Sequence, residues 1–443
     1  MTIAPAGGPG RVPGAPGPRV LLLVPARSYR AADFLLAATR MGLDLVIGSD
    51  GALPLGGRPV IPVNPADPDA STRRVLARAG TVAAVVAADT PMLMLAAAIA
   101  ERMGLPHSPA EGLRNAADKA RQRRRWAAAG IPQPRFEIVP TTAGAATIRR
   151  AAEAVGFPCV VKAISLSASQ GILRADEPAT AVTAAARIRR VLAAAGRPDP
   201  EPLLVEEYLP GPELSIDGLL AGDSLTVTAI LDKPAMPDGP TFEETLLVTP
   251  SRLPGPVLAA AISTAGQAAR ALGLTHGPVH AELRIDARGG GERGWARGNG
   301  GREPSVRGRA GRAAMLELAA RSIGGLCSRA LRFPGGTSLE ELILATALGR
   351  PVPAAGHDLA RPAGVYMLAV PCPGVLRAIE GRDRAAAVPG ITGLTITIPA
   401  GQRVRPLPDG DRYLGFIFAE AATRHQVEQA LTAARDQLRV IIE

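Results

Sequence analysis

Short apolar runs alternate with longer helically spaced segments over roughly the first hundred residues. RVLLLVPARSYRAADFLLAATRMGLDLVIGSD reads as strand, loop, helix and strand. PVIPVNPAD adds a short strand, and TVAAVVAADTPMLMLAAAIAERMGLP a strand and a helix. Strands alternating with helices predict an open parallel sheet flanked by helices. The first turn, PARSY, has no G-x-G-x-x-G, which argues against a nicotinamide-binding domain.

The pattern changes after residue 112. DKARQRRRWAAAG predicts a basic helix, with most of its arginines on a solvated face. IPQPRFEIV is a strand entered through prolines. AAEAVGFPCVVKAISLSASQGI gives a helix, a strand carrying Lys162 and a small, hydroxyl-rich loop. PLLVEEYLPGPELSIDGLLAGDSLTVTAILDK predicts antiparallel strands, with LPGPE and AGD as turn signals. The helix VLAAAISTAGQAARALGL leads into the strand GPVHAELRID. A Gly/Arg-rich segment intervenes before MLELAARSIGG resumes the strand, and SLEELILATALG forms a further helix.

The expected organisation is a disordered tail over 1–18, a parallel α/β domain over 19–112 and a second domain over 113–350. A C-terminal domain of short strands and a terminal helix spans 357–443, and residues 288–312 form an inserted loop.

Composition narrows the class. The 443 residues exceed one core, and 47% hydrophobic content with only 3% aromatics predicts interiors of Ala, Val, Leu and Ile. No apolar run reaches membrane-helix length, and the Pro/Gly-rich start lacks the order of a signal peptide. A cytoplasmic location is expected. Three scattered cysteines give neither metal spacing nor a disulfide framework. Cys159 and Cys327 read as core residues.

The net charge of +10 raises nucleic acid as a partner. Seven arginines and two glutamates in 288–312 account for half of it, and aromatic platforms for bases are scarce, so nucleic acid is disfavoured. The three lysines, Lys119, Lys162 and Lys233, stand against 47 arginines. A compact ammonium approaches a phosphate as a point charge in a way a planar guanidinium does not.

Lys162 projects from an apolar strand into a loop whose backbone N–H groups, with Ser167 or Ser169, suit phosphate oxygens. A plain surface turn is the competing reading. Glu206 and Glu207 end a strand before a Pro-Gly turn. Backbone groups there can pair with an adenine edge, and Glu213 can accept from ribose hydroxyls; a hairpin with exposed acids is the alternative. Glu282 and Glu317 lie in apolar strands, where a carboxylate needs a partner. Mg²⁺ is one such partner, and an internal salt bridge with Arg321 is the other. Arg321 suits a phosphate or carboxylate, and Gly324 and Gly325 allow close backbone approach. His280, two residues before Glu282, shares its strand face and either lines the substrate side or is structurally satisfied.

Taken in order, Lys119, Lys162 with its loop, EEYLPGPE, and the two glutamates with Arg321 resemble the ATP-grasp superfamily over roughly residues 19–350. EEYLPGPELSIDG, GPVHAELRID and LELAARSIGG are most similar to its carboxylate–amine ligase branch, which includes amino-acid ligases. The resemblance implies a flavodoxin-like pre-ATP-grasp domain, a two-subdomain ATP-grasp fold and a small C-terminal α+β domain. It implies ATP phosphate contacts at Lys119 and Lys162, with the Ser167–Gly171 loop, and adenine contacts around Glu206, Glu207, Tyr208 and Leu209, with Glu213 near the ribose. It implies Mg²⁺, or Mn²⁺, at Glu282 and Glu317, and an intermediate-stabilising Arg321. Lys233 and Glu244, with His280, Gly324 and Gly325, fall on the substrate side.

The implied activity is ADP-forming amide synthesis from a small carboxylic acid and an amine, with a homodimer left open. Alternatives are carboxylation of a nitrogen, as in biotin- or purine-type grasp proteins, a non-catalytic ATP-binding module, and RNA contact through 288–312. Two departures stand out. Ala319 occupies a position where many relatives carry Asn, and TLLVTP follows Glu244 where amino-acid ligases carry Gly-His.

Overall fold

The computed structural model describes residues 17–26, 28–53, 58–196, 201–286, 312–352 and 361–443. Nearly all of the expected tail, and the Gly/Arg-rich segment up to residue 311, lie outside the described residues. The chain divides into two compact units, Met1–His107 with Leu344–Arg350, and Ser108–Ile343 with Pro351–Glu443.

In the first unit Val20–Val24 is a run of five apolar residues without solvent exposure. Such a run suits a strand covered on both faces, as parallel sheets require. Arg19–Leu23 is an inner strand of a four-stranded parallel sheet, between Asp44–Ser49 and Ala84–Ala87, with Val60–Pro62 at the far edge. Helices Ala31–Met41 and Pro68–Arg78 make crossovers, and Leu93–Arg102 follows the last strand.

Among the described residues the second unit holds two main antiparallel sheets, besides a two-stranded and a three-stranded one. The smaller has the order Phe136–Val139, Leu203–Glu207, Cys159–Ala163 and Ile172–Ala175. Its core joins Val161, Leu173 and Val205 to Ile148, Ala152, Ala185 and Ile188 of the helices Ala145–Val155 and Pro178–Ala194. Cys159 is buried there, and Cys327 is buried elsewhere in the unit.

The larger sheet has eight strands, in the order Arg312–Ala319, His276–Asp286, Glu213–Ala221, Ser224–Asp232, Leu246–Thr249, Ala363–Leu368, Gly415–Glu420 and Ile391–Ile396. Leu246 pairs with Tyr366, so the C-terminal strands continue the sheet that carries Glu213 and Glu282. This pairing covers a strand edge that would otherwise expose unpaired backbone groups. Among the described residues, no helix is long and apolar enough to cross a membrane.

Candidate active site

A cleft in the second unit encloses about 560 Å³, its open mouth included, which suits a nucleotide-sized ligand. Its walls include Lys162, Ser169, Glu206, Glu207, Tyr208, Leu209, Glu213, Glu244, Glu282 and Glu317. Ten of the residues singled out from the sequence thus line one cavity.

Lys162 comes from the Cys159–Ala163 strand and Glu206 from its neighbour Leu203–Glu207. Lys162 Nζ is 2.6 Å from Glu206 Oε2, and Arg123 Nε donates to Glu206 Oε1 at 2.5 Å. Glu206 is fully buried. Burial pushes its pKa up, but the charges of Arg123 and Lys162 outweigh burial and hold it at about 2. Its side chain is an internal counter-ion to two cations.

Arg123 lies on the basic helix Lys119–Ala128. Arg121, Arg124 and Arg125 are exposed as expected, but Arg123 is 1% exposed, with its guanidinium 5.3 Å from the Trp126 ring. It also donates to Leu316 O at 2.6 Å. The available signal was spacing, because Lys119, Arg123 and Trp126 recur at helical intervals around one face.

Lys119 opens that helix. Its Nζ donates to Leu166 O at 2.5 Å and lies 3.2 Å from Glu317 Oε2, joining the loop after Lys162 to the far carboxylate. In that loop Ala168 and Ser169 hold φ of 55° and 57°, and Gly171 of 64°. Ser169 lines the cleft; Ser167 and Gly171 are not among its lining residues.

Glu282 and Glu317 are register partners in adjacent antiparallel strands. Leu283 pairs with Met315, so Leu316 is the extra residue of a bulge beside the pair. Gln122 pins this edge strand, accepting from Leu318 N at 3.1 Å and donating to Leu318 O at 3.0 Å.

Lys233 is buried at the centre of a second cluster. Its Nζ lies 3.0 Å from Glu213 Oε1 and 3.3 Å from Glu282 Oε1, and it donates to Glu244. Burial lowers its pKa, but Glu244, Glu282 and Glu213 together raise it well above the usual lysine value. Burial raises the pKa of Glu282, and Lys233 and His280 more than reverse this. Oxygens of Glu213, Glu244 and Glu282 lie within 4.8 Å of one another, a spacing that suits a cation. The Lys233 ammonium touches all three and supplies that charge. Arg284, unnoticed in the sequence, donates to Glu213 Oε2 at 2.8 Å and to Leu209 O at 2.7 Å. Both Glu213 oxygens therefore have internal partners.

His280 is buried. Its Nδ1 lies 3.0 Å from Asp217 Oδ2 and its Nε2 3.4 Å from Glu282 Oε1. Burial lowers its pKa, but the Asp217 charge and the hydrogen bonds to Asp217 and Glu282 raise it to about 9. Asp217 Oδ1 also accepts from Ile323 N at 2.7 Å, tying His280 to the loop after Glu317. Arg321 of that loop donates to Ser322 O at 2.9 Å beside Gly324. Gly325 has φ +63°. Arg321, Gly324, Gly325, His280 and Lys233 are not among the cleft's lining residues, although Lys233 and His280 touch Glu282, which is.

Glu282 and Glu317 have side chains 24% and 27% exposed, and each uses one oxygen in the contacts above. Hard carboxylate oxygens at the wall of a nucleotide-sized cleft fit Mg²⁺ or Mn²⁺. Apolar walls come from Val160, Ile172, Met236 and Phe242, with Phe242 stacked 6.1 Å from Tyr208. Of these, Val160 was legible, since it stands two residues before Lys162 on the same strand face.

This arrangement of a lysine-bearing antiparallel sheet facing paired carboxylates on a second sheet defines the ATP-grasp class. Residues 155–291 match the ATP-grasp domain and residues 366–443 match the L-amino acid ligase C-terminal domain 2. Residues 155–291 therefore carry an ATP-grasp domain, and residues 366–443 a C-terminal domain of the L-amino acid ligase type.

A D-alanine–D-alanine ligase from Xylella fastidiosa is 32% identical over 139 residues, covering 31% of this chain and 39% of that protein. An alanine–anticapsin ligase from Bacillus subtilis is 27% identical over 201 residues, covering 42% of this chain and 41% of that protein. These alignments span about two-fifths of the length of each relative. The crystal structure of an L-amino acid ligase from Bacillus licheniformis superposes with a TM-score of 0.74 at 22% identity, covering 96% of this chain and 99% of that one. At that identity the likeness concerns the fold.

Proposed function

We propose that the protein is an ADP-forming carboxylate–amine ligase that makes an amide through an acylphosphate. The observation that carries this reading is the single cleft shared by Lys162, the 206–209 hinge, Glu282 and Glu317. Such a cleft offers an apolar slot for a base at one end and cations with carboxylates at the other.

Val160, Ile172, Met236, Tyr208 and Phe242 hold the base, and backbone groups near Leu209 meet its edge. Lys162 and Lys119 bring ammonium charge to the phosphates, and Ser169 with the neighbouring N–H groups holds phosphate oxygens. Glu282 and Glu317 hold a divalent cation, which, when bound, neutralises charge on the transferred phosphoryl group. A substrate carboxylate oxygen attacks the γ-phosphorus and the bond to ADP breaks. An amine nitrogen then attacks the acyl carbon, loses a proton, and phosphate departs. Arg321 and the N–H groups of Gly324 and Gly325 steady the oxyanion. Closure of the loop after Lys162 keeps water from hydrolysing the acylphosphate.

The test supplies ATP, Mg²⁺, a broad panel of carboxylic acids and hydroxylamine, and looks for hydroxamate and ADP. Formation of both with any acid supports ligation. ATP binding with no ADP against any acid would instead favour a non-catalytic nucleotide-binding module, the reading that Ala319 in place of an Asn ligand would accommodate. ADP release that depends on bicarbonate alone would favour nitrogen carboxylation.

A further inference from the structure

The loop after Lys162 is tied down from an unexpected direction. Gly171 N donates to Pro408 O at 3.1 Å, and Gln170 Nε2 donates to Asp409 O at 3.1 Å. Arg187 Nη2, on the helix behind the loop, donates to Asp409 Oδ2 at 2.7 Å. All three acceptors lie on one turn of the C-terminal segment. That turn is built to a fixed shape. Asp409 N and Gly410 N both donate to Pro406 O, at 3.2 and 2.9 Å. A Cβ at Gly410 would meet Arg405 O at 2.0 Å.

The loop it grips is strained. Ala168 and Ser169 are consecutive non-glycine residues in left-handed backbone, with φ of 55° and 57°. Such residues persist only where surrounding structure over-determines them. The strand before the loop holds one end through the Ala163 N to Gly171 O bond, and Lys119 holds Leu166. The C-terminal turn holds the same end, at the Gly171 amide and the Gln170 side chain.

We propose that Asp409 is a positioning residue. The turn 405–410 straps the Ser167–Gly171 loop into the shape that closes on nucleotide phosphates, so the C-terminal segment completes the phosphate site without touching the nucleotide. The last step rests on the ligase reading above; the strap itself does not. Asp409 and Arg187 have side chains 38% and 42% exposed, so the pair can be broken without opening a core.

Hydrogen exchange on the full chain without ligand tests the strap directly. Asp409→Ala should speed exchange of the Gly171 amide roughly threefold or more, the scale of an exposed ion pair, with an unchanged melting temperature, and Gly410→Ala, which must displace Arg405 O, should speed it at least as much with a lower melting temperature. Calorimetry with a non-hydrolysable ATP analogue tests the consequence. Asp409→Arg and Arg187→Asp should each weaken binding roughly threefold, and the double swap should restore it.

Unchanged Gly171 exchange in both turn variants overturns the strap. Faster exchange with unmoved analogue affinity overturns the positioning role. If the wild-type chain binds no analogue, the ligase reading fails, and the exchange result still decides the strap.

Discussion

Glu282 and Glu317 face each other as register partners across adjacent antiparallel strands, although the Gly/Arg-rich segment separates them in sequence. Sheet pairing sets this relationship, independently of connection length. Glu317→Gln should keep the sheet, because the amide is isosteric and Lys119 retains Leu166 O as acceptor. Turnover should fall at least about 100-fold while the melting temperature moves by less than about 4 °C. ADP release assays and thermal unfolding read the two quantities, and full activity in the variant would remove Glu317 from the metal site.

Lys233→Met leaves Glu213, Glu244 and Glu282 without their shared cation. Breaking a buried ion cluster on one side costs about 3–5 kcal/mol. Denaturant unfolding should report that loss, and Lys233→Arg should not recover it, because a planar fork cannot point at three carboxylates as one ammonium does.

Glu206 sets an acid dependence whose sign follows from its pKa. The folded value, about 2, lies below the usual 4.5. Its contribution is present above pH 4.5 and is lost as pH falls towards 2. Glu206→Gln should therefore cost about 3–5 kcal/mol at neutral pH. The gap from wild type should narrow between pH 4.5 and 2. Chemical denaturation at several pH values measures it, and a pH-independent gap would contradict the assignment.

A Cβ at Gly325 would lie 2.6 Å from the Phe416 ring, and the residue's φ is +63°. Gly325→Ala should cost roughly 1–3 kcal/mol, from overpacking and from the left-handed backbone. Adding Phe416→Leu should recover part of the loss, since it relieves the contact and leaves the backbone strain. A four-variant unfolding cycle separates the two contributions.

Phe242→Ala removes the aromatic stacked on Tyr208 at the apolar end of the cleft. Affinity for an ATP analogue should fall about tenfold. Calorimetry checks it, and an unchanged affinity would place the base elsewhere.

Local pattern determined much of this protein. Alternating strands and helices indicated the parallel sheet of the first unit, because VLLLV has one favourable fate. The order of Lys119, Lys162, EEYLPGPE and the two glutamates indicated the superfamily, because nucleotide chemistry constrains residue types along the chain. Lysine scarcity singled out three residues, each of which pairs with a buried or cleft carboxylate. Tertiary structure alone decided which partner each charge takes. Helical spacing puts Arg123 on the face of Trp126, but nothing local names Glu206 as its partner, says that Asp217 bridges His280 to Ile323, or says that Arg284 occupies Glu213. Nor could the sequence reveal that a turn at 405–410 reaches the Ser167–Gly171 loop. Those pairings depend on sheet register and on burial, which link residues far apart in the chain, whereas hydrophobic periodicity reports only which face of each element is covered.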